Sequence, residues 1–566
     1  MGKVMYALLM DSRASDRYLG MFVLLASAAV CLFVAPFNSI DPVNLPKLCL
    51  LVVLSFIAAG FAFSKVEFFK LKRNRVILSI IGIFILQLII VLLVDERDFA
   101  LKFYGTYGRN TGFIAYLSLS FLLLASLVSS SKLLLKRYVV ALVCSGAVLA
   151  LYGIAQSRGF DFYEFDLGIG SKTFGSFGNS NFQSAYMGIT AAAALTLVCY
   201  SKIKIYFKMG LFILTCLAIY NVSLSSEQGF FNFAVGIAAA TIIYLFKSRK
   251  PVLGWIALVG SSISVLFLLL GILKIGPLAE YIFKSSLFAR WFYWRAAGKM
   301  MVDHPLFGVG MDGYGDAYLR SRPANYYSSE FFSVSDTAHS IPLDIGSNGG
   351  FPLFIAYSAI IVFVLLSIVR IMKRKTEFDV VFATIVAAWV AYQAQSLISI
   401  NQLGLGVWGW SLSGLIIGYE LNTRPEVIEE NPKSAPRSNA SVQKISALAV
   451  VTTFIATTAG IAVALPPYIS ANKFYVALQS GDAEVIQPAA YLKPYDQVRF
   501  AYVAQLLQEN KLESRAIAVL SDATKIYPDS MQLWRLWSRI PSASLVDVAR
   551  AKAEMKRLDP FNPDLK

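Results

Sequence analysis

The sequence predicts an all-α, polytopic membrane protein, and three observations carry that prediction. Only 15% of the 566 residues are charged and 57% are hydrophobic, against about a quarter charged in soluble domains. Apolar runs near the length needed to cross a bilayer recur, giving roughly 12–13 spans. The lysines and arginines behind the net charge of +16 sit in short clusters between those runs, as cytoplasmic loops require. No basic, aromatic-interleaved soluble domain exists to bind nucleic acid, so that partner is excluded.

The runs fall near 18–36, 48–64, 76–94, 113–130, 138–156, 183–200, 207–224, 229–246, 252–273, 351–369, 380–400, 405–421 and 446–465. The first lacks a small-residue cleavage site and reads as an uncleaved span. Loop charge tests the order of the rest. Basic clusters occur before the first run, at 65–75, 132–137, 202–208, 247–250, 370–375 and 424–444, which is every second connection. This alternation predicts a multi-pass protein of the cytoplasmic (inner) membrane, with a cytoplasmic N-terminus and an extracytoplasmic C-terminal region. It divides the chain into a membrane domain (1–422), a Pro-, Ser- and Glu-rich linker (423–445), a last span (446–467) and a helical C-terminal domain (468–566). Pro494, Pro528 and Pro560 are spaced close to the tetratricopeptide period, so a tetratricopeptide-like pair packed on Ala516, Ala518, Ala523 and Ala553 is expected there. That domain is a candidate site for a protein partner.

The polar chemistry then collects on the outer connections, above all in loop 274–350, which holds the only two histidines, His304 and His339. Arg290 and Arg295 lie on an amphipathic segment ending at His304-Pro305. A guanidinium offers the planar, permanently charged donors that a diphosphate demands, although an interfacial helix with snorkelling arginines has the same pattern. His339, in SDTAHSIPLD, can accept a proton near neutral pH, or serve as a hydrogen-bonded structural residue. His304 reads as a helix C-terminal residue. Arg109 sits in a Gly-rich loop directly before a span, a position suited to an anion and equally to a boundary arginine. Asn179 and Asn181 in GSFGNSN offer amide donors beside another span, and Glu227-Gln228 form a short outer connection. The five cysteines lie inside apolar runs without metal-ligand spacing. With two histidines and no clustered Cys/His, a zinc site on those ligands is not expected, while an oxygen-ligated divalent ion stays open. Without a nucleotide-binding loop, no cofactor is expected.

The ordered set Arg290-x-x-x-Trp294, His304-Pro305-Leu306-x-Gly308-x-Gly310, Ala338-His339-Ser340 and Gly349-Gly350, with GSFGNSN upstream, resembles the signature of the O-antigen ligase and polymerase superfamily. The resemblance covers about 95–420. It implies a GT-C-like membrane glycosyltransferase, acting without metal, that moves a glycan from a polyprenyl-diphosphate carrier to an acceptor on a glycolipid, a glycan or a protein. Carried over, Arg290 would hold donor phosphate and His339 would activate the acceptor, with Arg109, Gln228, Arg295, Asn179 and Asn181 as substrate-binding candidates. Two departures stand out. Gln228 occupies the place of a family arginine in Ser226-Glu227-Gln228-Gly229, and Ser340 replaces an asparagine. The alternatives are a polysaccharide polymerase, a protein O-oligosaccharyltransferase, a non-enzymatic flippase or transporter, and a membrane scaffold.

Overall fold

The computed structural model describes residues 12–35, 40–161, 172–272, 275–277, 279–282, 285–323, 334–424 and 445–565. The expected linker, apart from 423, 424 and 445, lies outside these residues. So do 324–333 of the long polar loop and 162–171 of the connection before GSFGNSN.

Among the described residues the fold is helical without strands. Thirteen long helices match the predicted apolar runs: α1 (Ser12–Leu32), α2 (Asn44–Phe63), α3 (Arg75–Val94), α4 (Phe113–Ser129), α5 (Lys132–Ser157), α6 (Ser180–Tyr200), α7 (Ile205–Ser225), α8 (Gln228–Lys247) and α9 (Pro251–Ile272), then α12 (Ile341–Lys373), α13 (Val380–Ile398), α14 (Leu403–Asn422) and α15 (Ala447–Gln479). Ten are long and apolar enough to cross a membrane; α1, α4 and α14 fall short of that measure but pack in the same apolar core. Helix α14 is buried along almost its whole length, with Trp408 against Tyr138 and Tyr186. A helix hydrophobic on all sides belongs at a bundle centre. The protein is therefore a multi-pass membrane protein.

Two faces differ in chemistry. On one, Glu420 pairs with Arg374 (2.7 Å) and Arg424 (2.9 Å), Lys247 Nζ donates to the Arg374 carbonyl (2.7 Å), and Lys65 meets Asp16 (2.6 Å). This is the face of the basic clusters. On the other, the polar loops knit together: Asn44 Nδ2 donates to the Gly108 carbonyl (2.8 Å), Tyr107 Oη accepts from the Asp41 amide (2.8 Å), and Asp312 accepts from the Thr106 amide (2.7 Å) and Thr111 Oγ1 (3.0 Å).

Two helices depart from the predicted spans. Helix α12 begins ten residues early, because a short segment from Ile341 joins the span through a break at Gly350, where φ is 73°. Helix α15 continues past the expected end at 467 to Gln479 and delivers Phe474 and Ala477 into a second core. That core belongs to the C-terminal helices α16 (Gln497–Glu509), α17 (Glu513–Ile526), α18 (Met531–Ser538) and α19 (Leu545–Leu558). The starts of α16 and α18 are 34 residues apart (531 − 497) and those of α17 and α19 are 32 apart (545 − 513), the spacing the prolines suggested. The small packing residues differ from expectation. Ala516, Ala523 and Ala551 are buried, whereas Ala518 and Ala553 face outward, because the buried stripes follow 516–519–520–523 and 551–555–558.

Candidate functional site on the polar-loop face

The HPLFGVG turn follows α10 (Ser285–Asp303), which ends at Asp303 as expected. Its glycines permit backbone to press on backbone. The Val309 amide donates to the Ser347 carbonyl (2.9 Å) and the Phe351 amide to the Pro305 carbonyl (2.8 Å). A Cβ on Gly308 would lie 2.3 Å from the Ser347 carbonyl oxygen, and one on Gly350 would lie 2.7 Å from that of Pro305. Both glycines also have positive φ, which side chains resist. Gln87 of α3 donates to the Leu306 carbonyl (2.9 Å), and Asn348 Oδ1 accepts from the amides of Gly313 and Tyr314 at the start of α11 (Tyr314–Ser321). Arg97 fastens loop 95–112 to the same turn through Asp95 (2.7 Å), the Met311 carbonyl (2.6 Å) and Asp316 (3.5 Å). The motif's first role is thus to build a rigid platform.

His339 stands on that platform in a left-handed backbone conformation (φ 50°). Such a residue is held there only by its surroundings. Here the Ala338 amide donates to Asp344 Oδ1 (3.1 Å), and the imidazole lies 5.2 Å from the Tyr293 ring. Nδ1 contacts Ser335 Oγ and Thr337 Oγ1, both at 3.2 Å, and the Thr337 carbonyl at 3.4 Å. A carbonyl can only accept, so this contact calls for the Nδ1–H tautomer and leaves Nε2 as the basic nitrogen. Burial, then the charges of Arg290 and Arg109, push the imidazole pKa down to about 4. It is neutral at physiological pH.

Arg290 occupies the buried face of α10, one turn from Tyr293, at 8% exposure. Its Nη1 is buried without a hydrogen-bond partner, and among the described residues it makes no ion pair. Burial lowers its pKa to about 10, which still leaves the guanidinium charged. A buried cation without a counter-charge is costly, and an anionic ligand would relieve that cost.

Arg109 is not free. Its Nε donates to Asp336 Oδ2 (2.7 Å) and its Nη2 to Oδ1 of the same carboxylate. Against burial, which raises it, the Arg109 charge and hydrogen bonds hold the Asp336 carboxyl below its usual range. This pair and His339 line a cavity of about 470 Å³ together with Asp41, Asn44, Asn179, Asn401 and Gln402. Asn179 spends its Oδ1 capping α6 through the Asn181 amide (2.8 Å), so its Nδ2 remains for a ligand. Both side-chain atoms of Asn401 and Nε2 of Gln402 are buried without hydrogen-bond partners, which marks that wall as polar and unsatisfied.

His339, Arg109 and Asn179 therefore come together in one cavity, with Arg290 close enough to act on His339 by its charge. Three other sequence candidates stand apart. Arg295 is exposed on the opposite face of α10. Asn181 lies one residue inside α6 and is not part of the cavity wall. Gln228 heads α8 and donates to Gln395 Oε1, which also accepts from Asn232 (3.3 Å). Asp336, Tyr293, Asn401, Gln402 and Asp344 were not singled out from the sequence. Asp336 alone had a signal, as the nearest carboxylate before His339.

The fold and site define a multi-pass helical membrane protein that presents a buried arginine and a neutral histidine on one polar face. Residues 210–358 match the family model described as O-antigen ligase, which supports membership of the O-antigen ligase and polymerase superfamily. The match supports an O-antigen ligase-like, glycosyltransferase-type role in surface polysaccharide assembly. The matched segment contains Gln228, Arg290, Arg295 and His339; Arg109, Asn179 and Asn181 precede it. No curated protein matches the chain significantly.

Proposed function

We propose that this protein transfers a glycan from a polyprenyl-diphosphate carrier to an acceptor hydroxyl, on the extracytoplasmic face of the inner membrane. The observation that carries this reading is the buried Arg290, whose Nη1 has no hydrogen-bond partner among the described residues, one helical turn from the residue packed on a neutral His339. The acceptor oxygen attacks the anomeric carbon. The bond from that carbon to the diphosphate oxygen breaks, and the diphosphate leaves with the electron pair. His339 Nε2 takes the hydroxyl proton, while Arg290 neutralises the departing charge with donors already in place. Because the leaving group is already a diphosphate, positioning and charge supply most of the catalysis, and guanidinium charge takes the part a divalent ion would play.

Ligation, rather than polymerisation, is the reading tested first. His339→Gln and Arg290→Met variants are compared with wild type for surface glycan and lipid-linked glycan. Loss of one charge-stabilising donor costs on the order of 10²–10³ in rate, so surface glycan should fall to trace levels while full-length lipid-linked chains accumulate. Single-unit glycans instead would mean a polymerase. Normal surface glycan in both variants at normal protein level would sink the proposal.

A further inference from the structure

A second cavity, of about 460 Å³, lies between the polar loop and helix α18 of the C-terminal domain, and it shares Arg109 and Asp336 with the His339 cavity. The ion pair is thus a common wall between two spaces. The C-terminal domain is fixed over it. Arg322 and Asp559 form a buried pair at 2.7 Å, Tyr527 Oη meets Asp98 at 3.4 Å, and Met531 packs against the α10–α11 core.

The lining argues for the kind of ligand. Arg535 and Arg539, four residues apart, project from α18 and the residue that ends it, and among the described residues neither makes an ion pair. Asp316, Asp336 and Asp529 are among the carboxylates of the same cavity, with Gln497 and Gln532 as amides, and leucines join Met531 in giving it more apolar than polar surface. An acyl chain would cover the apolar part of the wall but leave the carboxylates and arginines without partners. Charges of both signs favour neither a polyanion nor a polycation. A carbohydrate chain suits them, because its hydroxyls donate and accept hydrogen bonds and its C–H faces pack on apolar side chains.

We propose that this cleft is the acceptor subsite, where the C-terminal domain holds a hydroxylated carbohydrate chain whose end reaches His339 past the Arg109–Asp336 pair. The inference rests on the transfer reading above and adds where the acceptor lies and what it is. A neutral carbohydrate accepts from the arginines and amides and donates to the carboxylates. The shared wall would then hold the acceptor end, on the side opposite the donor diphosphate at Arg290.

The test places the photo-crosslinking residue p-benzoylphenylalanine at position 532 of the full chain in its native membrane, with position 546, which is outside the cleft and exposed, as control. Adducts are analysed for carbohydrate and for polypeptide. The expected result is a carbohydrate adduct at 532 and none at 546, persisting in a strain unable to make the lipid-linked donor. A carbohydrate adduct that disappears with the donor would mean the cleft holds donor glycan, and a polypeptide adduct would mean a protein acceptor; either overturns the proposal, as does the absence of any adduct. In parallel, Gln532→Trp and Arg535→Glu/Arg539→Glu should lower surface glycan at least tenfold at normal protein level. Arg535→Lys should retain it. Normal transfer by the first two variants, with His339→Gln inactive, would remove this inference alone; an active His339→Gln would remove the transfer reading itself.

Discussion

Replacing Arg290 by methionine should raise the pKa of His339. Burial and the positive charges of Arg290 and Arg109 all disfavour the imidazolium, and together they bring its pKa from 6.5 to about 4. The imidazole lies 5.2 Å from the Tyr293 ring, and Arg290 is one helical turn further along α10. That geometry puts the two charges on the order of 10 Å apart, worth about 1.7 kcal/mol at an effective dielectric near 20, or a little over one pH unit. Because the chain has only two histidines, selective ¹³C/¹⁵N-histidine labelling yields two imidazole signals in a nanodisc, and His304→Gln assigns them. The Arg290→Met midpoint should move up by about one pH unit, and the acid limb of any transfer activity should move with it. Inorganic pyrophosphate should raise the midpoint in wild type, by screening Arg290, and have little effect in Arg290→Met. An unchanged midpoint in the variant would refute the electrostatic coupling on which the site is built.

Three further outcomes can be measured directly. Arg109→Gln breaks a pair whose Asp336 carboxylate is half exposed, so the melting temperature should change little, the cost being below about 1 kcal/mol, while transfer falls about tenfold through loss of one positioning contact. In that variant the Asp336 pKa rises, so its carboxylate protonates at higher pH than in wild type. Gly350→Ala puts a Cβ 2.7 Å from the Pro305 carbonyl oxygen at a positive φ, and should cost about 3 kcal/mol, seen as a lower melting temperature or a loss of membrane-inserted protein. Asp559→Asn leaves the buried Arg322 without its carboxylate, a change worth roughly 3–5 kcal/mol. Limited proteolysis should then release the C-terminal domain far faster, with the membrane helices intact.

Much of the fold was legible because a span is a local signal. About 20 apolar residues and the placement of lysine and arginine suffice to locate a membrane helix and order its loops. The early start of α12 escaped that reading, since Asp344, Ser347 and Asn348 make its first turns polar although they are buried. The long α15 escaped because Pro466-Pro467 reads as a stop, yet lies inside the helix. For the site, the family resemblance singled out Arg290 and His339. It had no means of finding partners distant in sequence: Asp336 lies 227 residues from Arg109, and Gln395 lies 167 from Gln228. Nor could an apolar-run reading see that Asn401 and Gln402, at a span boundary, line the cavity and carry buried amide atoms without hydrogen-bond partners among the described residues.

Helix α15 has a consequence for where the C-terminal domain stands relative to the bilayer. Its 33 residues reach about 50 Å, while the hydrocarbon layer takes about 30 Å, so a stretch of some three to four turns stands clear of the lipid as a stiff mast. It is footed by close packing, with Gly60 of α2 against Thr453 and Thr452 Oγ1 bonded to the Gly60 carbonyl at 2.8 Å. On such a mast, height and bearing are one variable: each residue inserted or removed lifts the C-terminal domain by about 1.5 Å and swings it by about 100°. The height and bearing of the C-terminal domain over His339 are therefore set together by the residue count of a single helix.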